Sequence, residues 1–317
     1  MTPLSAAASS VDPGVVAASV CRCLLPGSGG DFRAAVWGAA APGATISETA
    51  GLAVGNTMFA AAHMPTKNIH ISRMQKDTRK KTIDEIEKDC LAAFPNVHQR
   101  RAFTSAVIMK ILRNRDGMDI PNVEEAMEGL IRDGYDDIVL QPTHILNGDE
   151  YEKMVGQGKK YEDQLISLRI GAPLLTDSDD YEELCHNIAE EAGRPDGEAL
   201  VLMGHGTGHF SDAAYAALEY RFHALGYRNV FVGTVEGYPD FETMFRRVEA
   251  YAPRKVVLLP LMVVAGDHAK NDMAGEEDSW KSAFEEAGYE TECILRGIGE
   301  FPGVRRQYVE HLGDVME

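Results

Sequence analysis

Cysteine is scarce in this chain, basic residues are outnumbered, and long apolar runs are missing. Five cysteines in 317 residues, an odd number without framework spacing, argue against a disulfide scaffold and leave buried free thiols as the reading for most of them. No apolar run approaches the ~20 residues needed to span a bilayer, so no membrane partner is expected. Lys and Arg number 31 against 49 Asp and Glu, for a formal net charge of −18. Such a surface repels phosphate backbones, so no nucleic-acid partner is expected, while divalent cations are not repelled. A P-loop Lys-Ser/Thr, a Gly-x-Ser-x-Gly elbow and an HExxH pair are also missing. Nucleotide binding, serine hydrolysis and a local zinc motif are therefore unsupported.

Residues 1–66 are rich in Ala, Gly, Ser and Pro and carry no sustained period. They are expected to form a poorly structured N-terminal extension. A secretory leader, with a periplasmic location, is the alternative, but Met1-Thr2-Pro3 lacks the basic start that a leader needs. A cytoplasmic location is the expectation.

Beyond residue 66 strand and helix patterns alternate, which predicts parallel α/β structure. Helices are expected at 78–94, 122–135 (Asn122 as cap, Gly134 as stop), 181–193, 211–226 (Ser211 as cap), 240–251 and 278–289. Strands are expected at 136–145, 199–206, 229–237, 255–268 and 291–299. The stretch 101–112 fits either a strand or a helix.

The chain also echoes itself. "DDIVLQPTHILNGDEYEKM" matches "RKVVLLPLMVVAGDHAKNDM" at a shift of 118 residues, with Pro142 on Pro260, Gly148 on Gly266 and Asp149 on Asp267. Two similar α/β units, 67–195 and 196–317, are the economical interpretation. His268 stands where the first copy has Glu150, which marks it as a candidate for function.

Ligands of open parallel sheets bind outside the carboxyl ends of the strands. In the second half those ends deliver His205 and His209, then Glu236, then Asp267 and His268. Two imidazoles and a carboxylate on neighbouring strands suit a divalent first-row metal. Gly204 and Gly206 flank His205 and are expected to clear room for something flat and bulky. His144, at a first-half strand end, is a candidate for the same cleft, whereas the remaining histidines read as structural or solvated.

These stretches resemble the class II tetrapyrrole chelatases, and within them the anaerobic sirohydrochlorin cobaltochelatases of the CbiK type. The likeness is carried by "TRKKTIDEIEKD", "AFTSAVIMKIL", "VLQPTHILNGDEYEKM", "VLMGHGTGHFSDAAYAALE", "VFVGTVEGYP" and "LLPLMVVAGDHAKNDMAGEEDSWK", in family order over about residues 76–317. The resemblance implies two flavodoxin-like units, each a parallel sheet flanked by helices, with a tetrapyrrole cleft between them. It implies insertion of Co2+ into sirohydrochlorin without ATP, with His205, Glu236 and His268 holding the metal and assisting pyrrole deprotonation. His144, Gly204 and Gly206 are carried along as substrate contacts. Fe2+ or Ni2+ are alternative metals, sirohaem-type ferrochelation and a non-catalytic metal or tetrapyrrole carrier are alternative functions, and a homo-oligomer is one assembly the sequence leaves open. One departure is plain: the family's opening strand and Gly-Thr-Ser/Thr turn are replaced here by "NIHISRMQKD", leaving "KNIHIS" (67–72) as the substitute strand.

Overall fold

Residues 14–24, 32–42, 79–193 and 196–316 are described by a computed structural model of the protein. Its apolar runs form strands whose side chains alternate between two faces, and this alternation creates the layers. One sheet contains β1 (Gly14–Leu24), β2 (Phe32–Pro42), β3 (His98–Phe103), β4 (Asp137–Thr143) and β5 (Ser167–Ile170). β2 lies between β3 and β4 and is parallel to both, β5 is parallel to β4, and β1 pairs antiparallel with its neighbours. The second sheet contains β6 (Glu198–Gly204), β7 (Val230–Thr234), β8 (Lys255–Leu261) and β9 (Glu290–Cys293), all parallel, in the order β7-β6-β8-β9.

The echo in the sequence is an echo in space. β4 and β8 begin and end 118 residues apart, and each lies inside its sheet beside a short edge strand. β2 takes in the first sheet the place that β6 takes in the second. Thus two strands fall within the stretch expected to lack regular structure. The remainder of 1–66, and the substitute strand at 67–72, lie outside the described residues.

The helices are α1 (Ile83–Ala93), α2 (Ala106–Asp116), α3 (Val123–Arg132), α4 (Asp149–Lys159), α5 (Ser178–Ala192), α6 (Ala213–Ala224), α7 (Phe241–Tyr251), α8 (Trp280–Glu286) and α9 (Pro302–Met316). Val139 of β4 and Leu200, Leu202, Val257 and Leu259 of the second sheet face one central core, filled by Ile86, Ile188, Phe222 and Tyr308 from α1, α5, α6 and α9. Ile138 and Leu140 face outward onto α3 and Met154 of α4. Val201, Met203, Val256 and Leu258 face outward onto Met244, Val248 and Phe284 of α7 and α8. The result is two sheets with helices outside each and a shared helical layer between them. Among the described residues no helix is long and apolar enough to cross a membrane.

Most boundaries follow local chemistry. Asn122 and Asp177 each accept an amide bond from the first turn of their helix and complete capping boxes, while Gly134 and Gly226 take φ of +90° and +96° just after helices end. The ambiguous stretch 101–112 contains both elements, since β3 ends at Phe103 and α2 starts at Ala106. Ser211 does not cap α6 as expected. It lies in a 3-10 turn, Phe210–Asp212, and its own N–H donates to His209 Nδ1. Cys90 and Cys185 are buried free thiols, as the cysteine pattern implies.

α9 carries no strong start signal in the sequence, yet it packs on α1, α5 and β4. Tyr308, fully buried, donates its hydroxyl to the Thr143 carbonyl at 3.1 Å, with the His144 carbonyl at 3.3 Å. Tyr308→Phe leaves these buried carbonyls short of a donor. It is expected to cost about 1–3 kcal/mol in chemical denaturation; an unchanged midpoint would show that this bond is worth nothing net.

Candidate active site

The carboxyl ends of β6, β7 and β8 open on one rim because the three strands are parallel and adjacent. β6 ends at Gly204 and hands on to His205, which is half-buried. A Cβ at Gly204 would stand 2.3 Å from the Tyr215 ring. Gly206 has φ of +86°, and a Cβ there would stand 2.3 Å from the Gly237 amide nitrogen. In the Cβ direction the room cleared by these glycines is taken by Tyr215 and by the next loop's backbone.

β7 ends at Thr234 and runs into a tight turn. The Thr234 N–H and hydroxyl both donate to the Pro239 carbonyl, at 2.7 and 3.0 Å, and the Tyr238–Pro239 peptide is cis. Glu236 sits exposed in this turn, and its N–H donates to the His205 carbonyl at 2.9 Å. β8 leads through a buried segment to His268, 7% exposed, which begins a single π-helical turn over Ala269–Met273. Such turns interrupt the regular ladder and recur at functional positions.

The fold brings two of the expected ligands together. The His205 and His268 rings meet edge to face with centroids 4.7 Å apart and planes at 88°. His205 Nδ1 is 2.9 Å from the Gly206 carbonyl. Only a protonated nitrogen donates there, so in the neutral ring the lone pair is on Nε2. His268 Nδ1 is 2.5 Å from Asp272 Oδ2, which leaves its lone pair on Nε2 in the same way. Among the described residues no group of three or more His, Cys, Asp or Glu forms a ready-made metal cage. Glu236 reaches this pair through its backbone bond to His205.

His209 serves a different purpose. Its Nδ1 accepts the Ser211 N–H at 3.2 Å, and its Nε2 stands 3.4 Å from Glu152 on α4. Thr207 Oγ1 is 3.4 Å from Asp149 on the same helix. The loop carrying His205 thus rests against the first half of the chain.

His144 is enclosed, 4% exposed, edge-on to Tyr151. Burial pushes its pKa down to about 3, so it is neutral throughout the physiological range. Neither of its ring nitrogens has a hydrogen-bond partner among the described residues.

Sequence reasoning missed the residues that hold this arrangement. Asp272 lies four positions after His268, a spacing that places both on one helical face and is visible in the sequence. Asp212 and Tyr215 had no such signal, since they touch loops distant in sequence. Tyr215, with a phenol pushed up to about 12 by burial, carries the Gly204–Gly206 backbone.

Known proteins are similar to this chain in sequence over most of its length. Sirohydrochlorin cobaltochelatase from Salmonella typhimurium is 40% identical over 238 residues, covering 74% of this chain and 90% of that protein. Sirohydrochlorin cobaltochelatase CbiKC from Nitratidesulfovibrio vulgaris is 34% identical over 228 residues, covering 69% and 79%. The solved structure of SirB from Bacillus subtilis with Fe3+ aligns with TM-score 0.45 and 15% identity over 62% of this chain and 77% of that one. The model of the cobalt chelatase family CbiK matches residues 69–317. The chain therefore belongs to the CbiK cobalt chelatase family.

Proposed function

We propose that the protein inserts Co2+ into sirohydrochlorin, with His205, Glu236 and His268 receiving the ion. The observation that carries this reading is the edge-to-face pair of imidazoles at a common rim of three parallel strands. Relatives with this activity in their names match 74% and 69% of the chain.

Insertion replaces two pyrrole N–H protons by one Co2+, so the site must bind an ion, accept protons and let the ion go. Neutral imidazoles with Nε2 lone pairs suit the first two tasks. A closed cage would suit the third badly, because an ion held by a full set of preformed ligands is slow to pass to the ring. Glu236, exposed beside His205, offsets the ion's charge as it loses water. Asp272 keeps the His268 proton on Nδ1 and stabilises the imidazolium that forms when Nε2 takes a proton. Asp272→Asn is expected to weaken use of Co2+ by about 10–100-fold in KM; titration of initial rate against free Co2+ measures it.

The macrocycle needs flat apolar surface. Phe210 and Tyr238 are 81% and 58% exposed and come directly after His209 and Gly237 in the loops that bear the ligands. Tyr238→Ala is expected to raise the KM for sirohydrochlorin by about 3–10-fold through lost ring contact, with the cobalt KM unchanged.

The deciding experiment is steady-state insertion with excess sirohydrochlorin and a panel of Co2+, Fe2+ and Ni2+. Many turnovers with Co2+ preferred support the proposal. Preference for Fe2+ makes the protein a ferrochelatase, and stoichiometric binding without turnover makes it a carrier.

A further inference from the structure

Asp at the start of a helix ordinarily caps its own first turn. Asp212 occupies the residue before α6 and makes no such bond. Its two carboxylate oxygens go elsewhere. Oδ1 accepts the Thr207 N–H at 2.9 Å, and Oδ2 accepts the Tyr238 N–H at 2.6 Å. Thr207 lies two residues after His205, and Tyr238 lies two residues after Glu236. One half-buried carboxylate therefore joins the two loops whose side chains meet the metal.

Independent features make the same junction tight. The Val235 and Glu236 amides both donate to the His205 carbonyl, at 3.2 and 2.9 Å. A Cβ at Gly237 would stand 2.1 Å from Asp212 Oδ1, and a Cβ at Gly206 would stand 2.3 Å from the Gly237 nitrogen. Glycine at both points lets the loops close on the carboxylate. His209 caps only the preceding 3-10 turn, accepting the Ser211 N–H.

We infer that Asp212 is a positioning residue, a clasp that fixes the separation of the His205 and Glu236 loops and so sets the opening offered to the incoming cation. The inference rests on the assignment of His205 and Glu236 to the metal. Asp212 touches neither metal nor tetrapyrrole. Its larger effect belongs to cobalt capture and transfer; because the clasp also holds the Tyr238 amide, binding of the macrocycle changes less.

Asp212→Asn tests this with little change of shape. The amide keeps one accepting oxygen but turns an NH2 towards the other backbone N–H, so one loop is released. In the purified full chain, kcat/KM for Co2+ is expected to fall about 30–100-fold, while the sirohydrochlorin KM rises by no more than the about 3–10-fold of Tyr238→Ala and the thermal midpoint is kept. In a double-mutant cycle with Glu236→Gln, the second substitution should add little to the first, because both act on one unit. Gly237→Ala, which pushes a methyl into Oδ1 while leaving the carboxylate in place, should reproduce the cobalt defect.

An Asp212→Asn protein with cobalt kinetics within about threefold of wild type overturns the clasp, as do losses that simply add in the cycle. If Asp212→Asn does not fold, Gly237→Ala decides, and normal cobalt kinetics there overturn it. Failure of both to fold makes Asp212 a requirement of the fold and likewise overturns it. His205→Ala is the control for the underlying assignment. Full activity in His205→Ala sinks the metal site itself, whereas full activity in Asp212→Asn beside an inactive His205→Ala sinks only the clasp.

Discussion

Replacing His205 by alanine is expected to lower the rate of cobalt insertion by about 10²–10⁴-fold, the range that a positioned proton acceptor supplies. The effect is large because one side chain is asked to do two things. Its Nε2 lone pair is presented by the Nδ1–H bond to the Gly206 carbonyl, and its ring abuts His268. Removal leaves one imidazole to meet both ion and proton. The fold should survive, since His205 is half-buried and its loop is held by backbone bonds to Val235 and Glu236. His268→Ala should be comparably impaired but less well folded, because His268 is 7% exposed and opens the π-helical turn. Insertion tracked by the change in tetrapyrrole absorbance, beside circular dichroism of each variant, separates chemistry from folding. Wild-type rates in both variants would remove the site from this rim.

The second large effect concerns stability. Asp180→Ala is expected to cost about 3–5 kcal/mol, the usual penalty for leaving one member of a buried ion pair alone. His311 of α9 has its Nε2 2.7 Å from Asp180 Oδ1 and its Nδ1 3.3 Å from the Ala172 carbonyl. Both nitrogens face acceptors, so the doubly protonated ring fits the site. Burial pushes the His311 pKa down, but the Asp180 contact and the carbonyl outweigh it and leave it raised above the ordinary 6.5. Burial likewise pushes Asp180 up, but bonds from His311 and from the Asp177 and Thr176 amides outweigh it and leave it below the ordinary 3.8.

Linkage sets the sign of the pH dependence. The raised His311 contributes stability that is complete below 6.5 and is lost as pH rises through its folded value. The lowered Asp180 contributes stability that is complete above 3.8 and is lost as pH falls through its folded value. The pair therefore works best in mildly acidic solution, between those two ordinary values. Denaturation midpoints across this range should show the plateau in the wild type and flatten in Asp180→Ala. A wild-type profile that rises steadily from about pH 6 to 8 would contradict the assignment.

Much of the fold was legible in the sequence, for physical reasons. β6, β7 and β8 are buried on both faces, so they read as unbroken apolar runs, and the residues next after each run stand at the rim. That is why His205, Glu236 and His268 could be put forward together as candidates from sequence alone. The echo at 118 residues was legible because two equivalent strands face equivalent surroundings. The glycines were harder. Their spacing signals close approach, but only the structure shows that Tyr215 and Gly237 are the groups that approach. Ser211 looked like a cap because the residue type is right; the 3-10 turn moved the helix start two residues on. Asp212 was invisible because its partners, Thr207 and Tyr238, offer only their amides, and an amide leaves no trace in the residue alphabet.

The placement of α9 has a consequence for the order of synthesis. It is made after β6 to β9, yet it packs on α1, α5 and β4 of the first half. Arg305 pairs with Asp89 of α1 at 2.6 Å, Tyr308 reaches β4, His311 pairs with Asp180 of α5, and Arg169 of β5 donates to the Val315 carbonyl at 2.5 Å. A growing chain can form β6 to β9 as each leaves the ribosome, but the older half waits with an uncovered apolar face until α9 emerges. The half that is translated first is completed only by a helix from the half translated after it.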